Sequence, residues 1–333
     1  MSRQHSVKQY TFSSVLSPLI ERFIEEKRSL KYQYNTESKM LARFDKYLVS
    51  EQYDLSGLTS EIIEKYTAKT TYESTRNHIA RHLIIQQFSK YLCRLGVDAY
   101  VSPFICKGNK FENFVPYIFS DREISAILCK ADHYPYVSKC PHRHLVIPML
   151  LRMLYGCGLR LSEALNLMIG DVDLQNGVIC VRKGKFNKER LVPMSDSLRV
   201  YAKAYIIKLY STLDPISPFL PSSRGAPYSP GTFNPLFHNI LFNAGISHGG
   251  KGKGPRVHDL RHTFAVHCLR NWLKKGFDVS AALPYLSTYL GHKNMQGTQQ
   301  YLRLTAEIFP HITALLEEAY GAIIPRGDSY ENL

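Results

Sequence analysis

Gln175-Asn176-Gly177-Val178-Ile179-Cys180-Val181-Arg182, then a polar turn, then Arg190-Leu191-Val192-Pro193-Met194 decide the fold class of this chain. Asn-Gly is a turn signal, and the β-branched residues after it favour a strand. The intervening run is rich in Gly, Lys and Asn, so the second apolar run reads as a returning strand. Pro193 has no N–H to donate, which places it on a sheet edge. On both sides of this insertion the pattern turns helical. Helices are expected around 121–130, 143–155, 161–168, 196–210, 231–243, 259–272 and 281–290. The expected class is mainly α with one small antiparallel β-sheet.

The N-terminal hundred residues carry the helical period alone. Phe12, Val15, Leu16, Leu19, Ile20, Phe23 and Ile24 recur at three-and-four spacing and form one apolar stripe. A second helix after Asn35-Thr36 presents Met40, Leu41, Phe44, Tyr47 and Leu48, and a short third lies near Ile62, Ile63 and Tyr66. A fourth carries Ile79, Leu83, Phe88, Tyr91, Leu92 and Leu95 and stops at Gly96, placed as a C′ glycine. Pro103, Gly108 and Pro116, with the basic pair Lys107 and Lys110, then interrupt the pattern as a linker. Ser120-Asp-Arg-Glu123 is a capping box that opens a new helix. The expected organisation is a helical domain over 1–100, a linker over 101–118, a second domain over 119–305, and a C-terminal helix and tail over 306–333.

Composition narrows the class of function. The chain has 333 residues, enough for about two domains, and its 44% hydrophobic and 21% charged content excludes wholesale disorder. Its longest apolar run, Leu145 to Leu151, is far short of the roughly 20 residues a bilayer crossing needs. No signal-peptide core follows Met1, and seven scattered cysteines without a CxxC pair suit a reducing compartment, so a cytoplasmic protein is expected. The net charge of +14 divides into +6 over residues 1–110, +12 over 111–305 and −4 over the last 28. A basic body with an acidic tail suits a polyanion such as nucleic acid, although a cationic enzyme of another kind has the same balance.

Four segments concentrate reactive side chains. In Tyr155-Gly-Cys-Gly-Leu-Arg160-Leu-Ser-Glu163, glycines break one helix and place Arg160 and Glu163 three apart on the next, so the arginine can clamp a phosphate or pair with the glutamate. Arg182, Lys183, Lys185 and Lys188 load the hairpin turn, where a lysine can protonate a leaving oxygen or simply be solvated. His258-Asp-Leu-Arg261-His262 sets His258 and Arg261 one turn apart and follows the glycine-rich loop with Lys251, Lys253 and Arg256. His258 and His262 also have the spacing of a helical zinc pair, but the glutamate of a zinc protease and a third ligand are missing. Cys140-Pro-His142-Arg-His144 is a loose cluster that reads better as a solvated turn. The fourth segment is Leu290-Gly291-His292, with Tyr301 beyond it.

Taken in chain order, Arg160, Lys185, His258, Arg261, His292 and Tyr301 resemble the tyrosine recombinase (phage integrase) family. Gly158-Leu-Arg-Leu-Ser-Glu163, Asn187-Lys-Glu-Arg-Leu-Val-Pro193, His258-Asp-Leu-Arg-His-Thr-Phe264 and Leu290-Gly-His292 carry the match over about 119–305. The helical N-terminal domain resembles the family's core-site DNA-binding domain. Counting back from Asn187 selects Lys185 as the hairpin lysine, with Lys183 as alternate, and Phe186 departs from the usual glycine.

The resemblance implies DNA cleavage and rejoining through a 3′-phosphotyrosine on Tyr301, without metal or other cofactor. Arg160 and Arg261 would clamp the non-bridging oxygens, Lys185 act as general acid, His258 assist Tyr301, His292 donate to phosphate, and Glu163 orient the others. Among the tyrosines near the C-terminal helices, Tyr285 and Tyr289 read as packing aromatics. Lys107, Lys110, Arg182, Lys183, Lys188, Lys251, Lys253 and Arg256 are expected to grip DNA. The expected partners are double-stranded DNA with paired half-sites and further copies of the chain, a dimer per site and a tetramer in synapsis. An apolar stripe through Ile308, Phe309, Ile312, Leu315 and Leu316 suits docking on a neighbouring copy or packing within one. A DNA-binding protein with a degenerate site and a type IB topoisomerase-like relaxing enzyme are the competing readings.

Overall fold

A computed structural model describes residues 9–30, 32–54, 57–103, 115–182, 189–250, 254–292, 298 and 301. The chain divides into two compact units, Met1–Phe114 and Val115–Leu333.

The first unit packs α1 (Ser17–Ser29), α2 (Asn35–Ser50), α3 (Ser60–Thr67) and α4 (Thr75–Arg94) around one core. Phe23 of α1, Phe44 of α2, Ile63 of α3 and Phe88 of α4 are all essentially solvent-free within it. The stripe from Phe12 predicts an earlier start to α1 than is found. Pro18 occupies the first turn of the helix, and the N–H groups of Ser13 and Ser14 donate to the buried Asp45 carboxylate at 2.9 and 3.0 Å, holding the preceding segment as a turn. α4 starts four residues before its first predicted apolar position, because Ser74 Oγ accepts from the Asn77 N–H.

The second unit is organised by α6 (Arg143–Gly156), apolar and buried on nearly every side from Val146 to Leu154. Against it lie α5 (Asp121–Asp132), α7 (Leu161–Leu165), α8 (Asp196–Leu209) and α10 (Asp259–Lys274), while α9 (Pro230–Asn243) packs on α5 and α7 in the same core. The predicted capping box is formed: Ser120 Oγ accepts from the Glu123 N–H at 3.2 Å and Glu123 from the Ser120 N–H at 2.8 Å.

The sheet is antiparallel in the order β1 (Val172–Asp173), β2 (Val178–Val181), β3 (Arg190–Pro193), with Ile179 opposite Val192 and Val181 opposite Arg190. Pro193 is on an edge strand, as its missing N–H requires. β1 was not anticipated, being too short to show a period. α7 stops at Leu165 rather than near 168, because the Phe219 N–H donates to the Leu167 carbonyl and the Ile169 N–H to Ser217, drawing this segment into strand-like pairing. A separate small core joins Ala265, Val266 and Leu269 of α10 to Leu283, Leu286 and Leu290 of α11 (Val279–Leu290) and to Tyr301.

Candidate active site

Gly158 makes the first bend of the site. Its φ of +57° reverses the chain after α6, and an added Cβ would lie 2.4 Å from the Phe264 ring. The reversal leaves Arg160 at the N-cap of α7 and Glu163 in its first turn, where Glu163 Oε2 accepts from the Arg160 N–H at 2.9 Å. The Arg160 guanidinium donates to Glu163 Oε1 at 2.6 Å and to the Gly291 carbonyl at 3.0 Å. Arg261, in the first turn of α10, is 1% exposed and donates to the carbonyls of Gly158 and Leu290. The two arginines therefore share one floor, made of the Gly158 bend and the Leu290–Gly291 turn.

Arg190 completes that floor. Its guanidinium grips Glu163 through two hydrogen bonds, 3.0 and 2.8 Å, while its Nε donates to the Tyr289 carbonyl at 2.9 Å. Burial alone would raise the Glu163 pKa. The hydrogen bonds and charge of Arg190, followed by those of Arg160, outweigh it and hold the carboxylate at about 2. The Arg261 pKa is also lowered, to about 10, by burial and then repulsion from Arg160, which for a cation weakens the charged form. One carboxylate among three guanidinium groups leaves the cluster two positive charges in excess, an electrostatic setting for an anion.

Three histidines border it, each with its pKa pushed down to about 4. Burial is the largest cause for all three; next come His262 for His258, Arg256 for His262, and Arg261 for His292. At neutral pH their rings are uncharged, so a ring nitrogen can accept a proton. His262 lies beneath His258, the rings meeting edge to face with centroids 4.8 Å apart, and His258 is the more solvent-exposed of the two. The hydroxyl of Tyr301, a residue 1% exposed, is hydrogen-bonded to His262 Nδ1 at 3.0 Å, the tautomer of the neutral imidazole setting which group donates. His292 Nδ1 meets Thr298 Oγ1 at 2.7 Å, and its ring stacks near Tyr301 at 6.2 Å.

The structure thus brings Arg160, Glu163, His258, Arg261, His292 and Tyr301 into one region. Lys185 lies outside the described residues, as do Lys107, Lys110, Lys183, Lys188, Lys251, Lys253 and the stripe beyond residue 305. Arg182 is paired with Asp171 at 2.5 Å with a 59% exposed side chain, and Arg256 with Asp259 at 3.1 Å. Tyr289 packs as expected, stacked on Phe264, but Tyr285 does not: it is 76% exposed. Among the described residues, no three His, Cys, Asp or Glu side chains form a group able to hold a metal ion, so the His258–His262 spacing gains no third ligand. Two members escaped sequence reasoning. Arg190 has a signal: it shares the inward face of β3 with buried Val192, an unexpected place for a charge. His262 entered only as a metal candidate, and its contact with Tyr301 spans 39 residues, which no local pattern shows.

A cationic floor beside a phenol bonded to a neutral imidazole is the class of centre that handles a phosphodiester by transfer to a side chain. Residues 120–307 match the model of the phage integrase family, more than half the chain, and the chain belongs to that family. It is similar to the tyrosine recombinase XerD of Pseudomonas aeruginosa, 27% identical over 95% of this chain and 100% of that one. It is also similar to the tyrosine recombinase XerA of Pyrococcus horikoshii, 30% identical over 72% and 73% of the two chains. In fold it resembles the XerH site-specific recombinase bound to difH substrate, with a TM-score of 0.60, 19% identity, and coverage of 92% and 85%. No helix among the described residues is long and apolar enough to cross a membrane.

Proposed function

We propose that this chain is a site-specific DNA recombinase that cuts and rejoins strands through a 3′-phosphotyrosine on Tyr301. The observation that carries the reading is the hydrogen bond between the hydroxyl of buried Tyr301 and neutral His262 within the core that also positions Arg261 and the Leu290–Gly291 turn. Arg160 and Arg261 receive the non-bridging oxygens, where negative charge grows as phosphorus becomes five-coordinate. Tyr301 oxygen forms the new bond to phosphorus, the bond to the 5′-oxygen breaks, and Lys185 protonates that oxygen. The phenol proton passes to a histidine: His262 contacts the hydroxyl in the DNA-free protein, and His258, the more exposed of the two rings, borders the side open to substrate. Attack by a 5′-hydroxyl of a partner strand then reverses these bond changes and joins new ends.

Arriving phosphate brings the negative charge that the three histidines lack, which raises their pKa and lets His292 donate to it. The first unit serves as the core-site binding domain: α2 places Lys39, Arg43 and Lys46 along one face beside Gln9, Tyr10 and Thr11. The partner is double-stranded DNA with two half-sites, bound by a dimer that pairs into a tetramer, in the cytoplasm. The test is a nicked duplex whose cleavage releases a short strand and traps the covalent complex. The unsubstituted protein is expected to form an adduct with a 3′ end, and Tyr301→Phe to bind equally but form none. An adduct from Tyr301→Phe refutes the nucleophile, and relaxed plasmid without recombinant product favours a topoisomerase.

A further inference from the structure

We propose that Arg190 is a positioning residue for strand cleavage: by gripping Glu163 from β3 it aims the Arg160 guanidinium at the scissile phosphate. The inference rests on the recombinase reading of the same site. Its basis is geometric. Arg160 is held at one end by Glu163 Oε1 and at the other by the Gly291 carbonyl; Arg190 binds the first of these supports and packs beside Gly291. It gives both terminal nitrogens to Glu163, whose side chain is 5% exposed, and its Nε to the carbonyl two residues before Gly291. A fork bound at both tines and at its base cannot rotate without breaking all three bonds. Glu163 faces Arg160 from α7, Arg190 from β3 and Arg261 from α10, the last at 4.0 Å.

Gly291 reports how closely Arg190 is packed. A Cβ there would lie 3.1 Å from Arg190 Cδ and Nη1 and 3.2 Å from Nε, at a φ of +66°. The glycine between Leu290 and His292 therefore has a second use beyond its backbone conformation: it leaves room for this guanidinium. Arg190 is also the first residue of β3, so it ties the end of the strand returning from the hairpin to the turn that carries His292. Without it, Glu163 remains buried between Arg160 and Arg261 and keeps its bonds to Arg160, but loses the second pair of hydrogen bonds, the pair that comes from β3. Arg160 is then held by Gly291 and by a carboxylate that is itself less firmly fixed, so its guanidinium can shift.

The test compares Arg190→Gln, Arg190→Lys, Glu163→Gln and the double variant Arg190→Gln/Glu163→Gln with the unsubstituted full chain on the nicked duplex, in single turnover. A displacement of about 1 Å in a group that holds the reacting phosphate costs on the order of 100-fold in rate. Arg190→Gln is expected to cleave about 10- to 100-fold more slowly with DNA affinity within about twofold, and Arg190→Lys, which keeps the charge but not the fork, to fall between. The double variant should be no slower than the slower single variant, since both act through one carboxylate.

A second readout separates positioning from folding. In Arg190→Gln the buried Glu163 loses its strongest counterion, so its cleavage rate should fall at acid pH in a limb absent from the double variant. Both proteins lose the Arg190 charge beside the histidines, and Glu163→Gln, which loses only the carboxylate, controls for its effect on them. Full-speed Arg190→Gln, or single effects that multiply in the double variant, overturns the inference. If the unsubstituted protein forms no adduct, the cleavage reading fails instead. A crystal structure of Arg190→Lys or Arg190→Gln then decides this one: an Arg160 guanidinium unmoved to within about 0.5 Å overturns it, and a displaced one supports it.

Discussion

Replacing Glu163 by glutamine tests the electrostatic account of the site through stability alone. The carboxylate is 5% exposed, accepts from Arg160 and Arg190, and is held at about 2 against an ordinary value of 4.5. That depression corresponds to about 3 kcal/mol of preference for the ionised form in the folded protein. Breaking a buried ion pair by removing one partner gives a matching figure, about 3–5 kcal/mol, because the stranded charges remain out of water. The folded pKa lies below the unfolded one, so this contribution is complete above about pH 4.5 and is lost as pH falls toward 2. Neutral pH is therefore the place to measure it. The chain has one tryptophan, Trp272, in α10, so its fluorescence during urea unfolding follows the second unit without interference from the first. Glu163→Gln should lower the stability of that transition by about 3 kcal/mol at pH 7. A loss below about 1 kcal/mol would refute the view that this carboxylate neutralises the arginine cluster.

Two further outcomes follow from the same geometry. Gly158→Ala forces a side chain onto a φ of +57° and 2.4 Å from the Phe264 ring, so it should cost about 2–4 kcal/mol by Trp272 fluorescence and displace the carbonyl that receives Arg261; an unchanged urea midpoint would contradict the packing. The histidines give a pH dependence of opposite origin: at about 4 when folded against 6.5 ordinarily, they make the unfolded chain the better proton binder as pH falls below 6.5. Stability of the second unit should thus fall between pH 7.5 and 5, by about 1–2 kcal/mol for buried His262, and His262→Asn should flatten that slope; equal slopes in the two proteins would sink the assignment.

Most helices of both units were legible because their signals are local. The capping box at Ser120, the apolar run through α6 and the Gly96 stop each depend on residues within a turn or two of one another. Where the reading slipped, a distant partner was responsible. Asp45, some thirty residues away, holds Ser13 and Ser14 out of α1, and the pairing of Leu167 with Phe219 cuts α7 short. β1 has two residues, too few for any period.

The active-site residues divide in the same way. Spacing within Gly158–Glu163, His258–Arg261 and Leu290–His292 identified side chains whose chemistry suits a phosphodiester, because each group sits on one turn of chain. Which residue types are present, their order along the chain, and an excess of positive charge suited to a polyanion can all be read from the amino acids alone. How they are aimed came from the folded chain. It brought Arg190 across from β3 to lock Glu163, and it set His262 rather than His258 against the Tyr301 hydroxyl. The reason is physical: hydrogen-bond direction and burial depend on side chains converging from α7, β3, α10 and the turn after α11, and separation along the chain carries no record of that convergence.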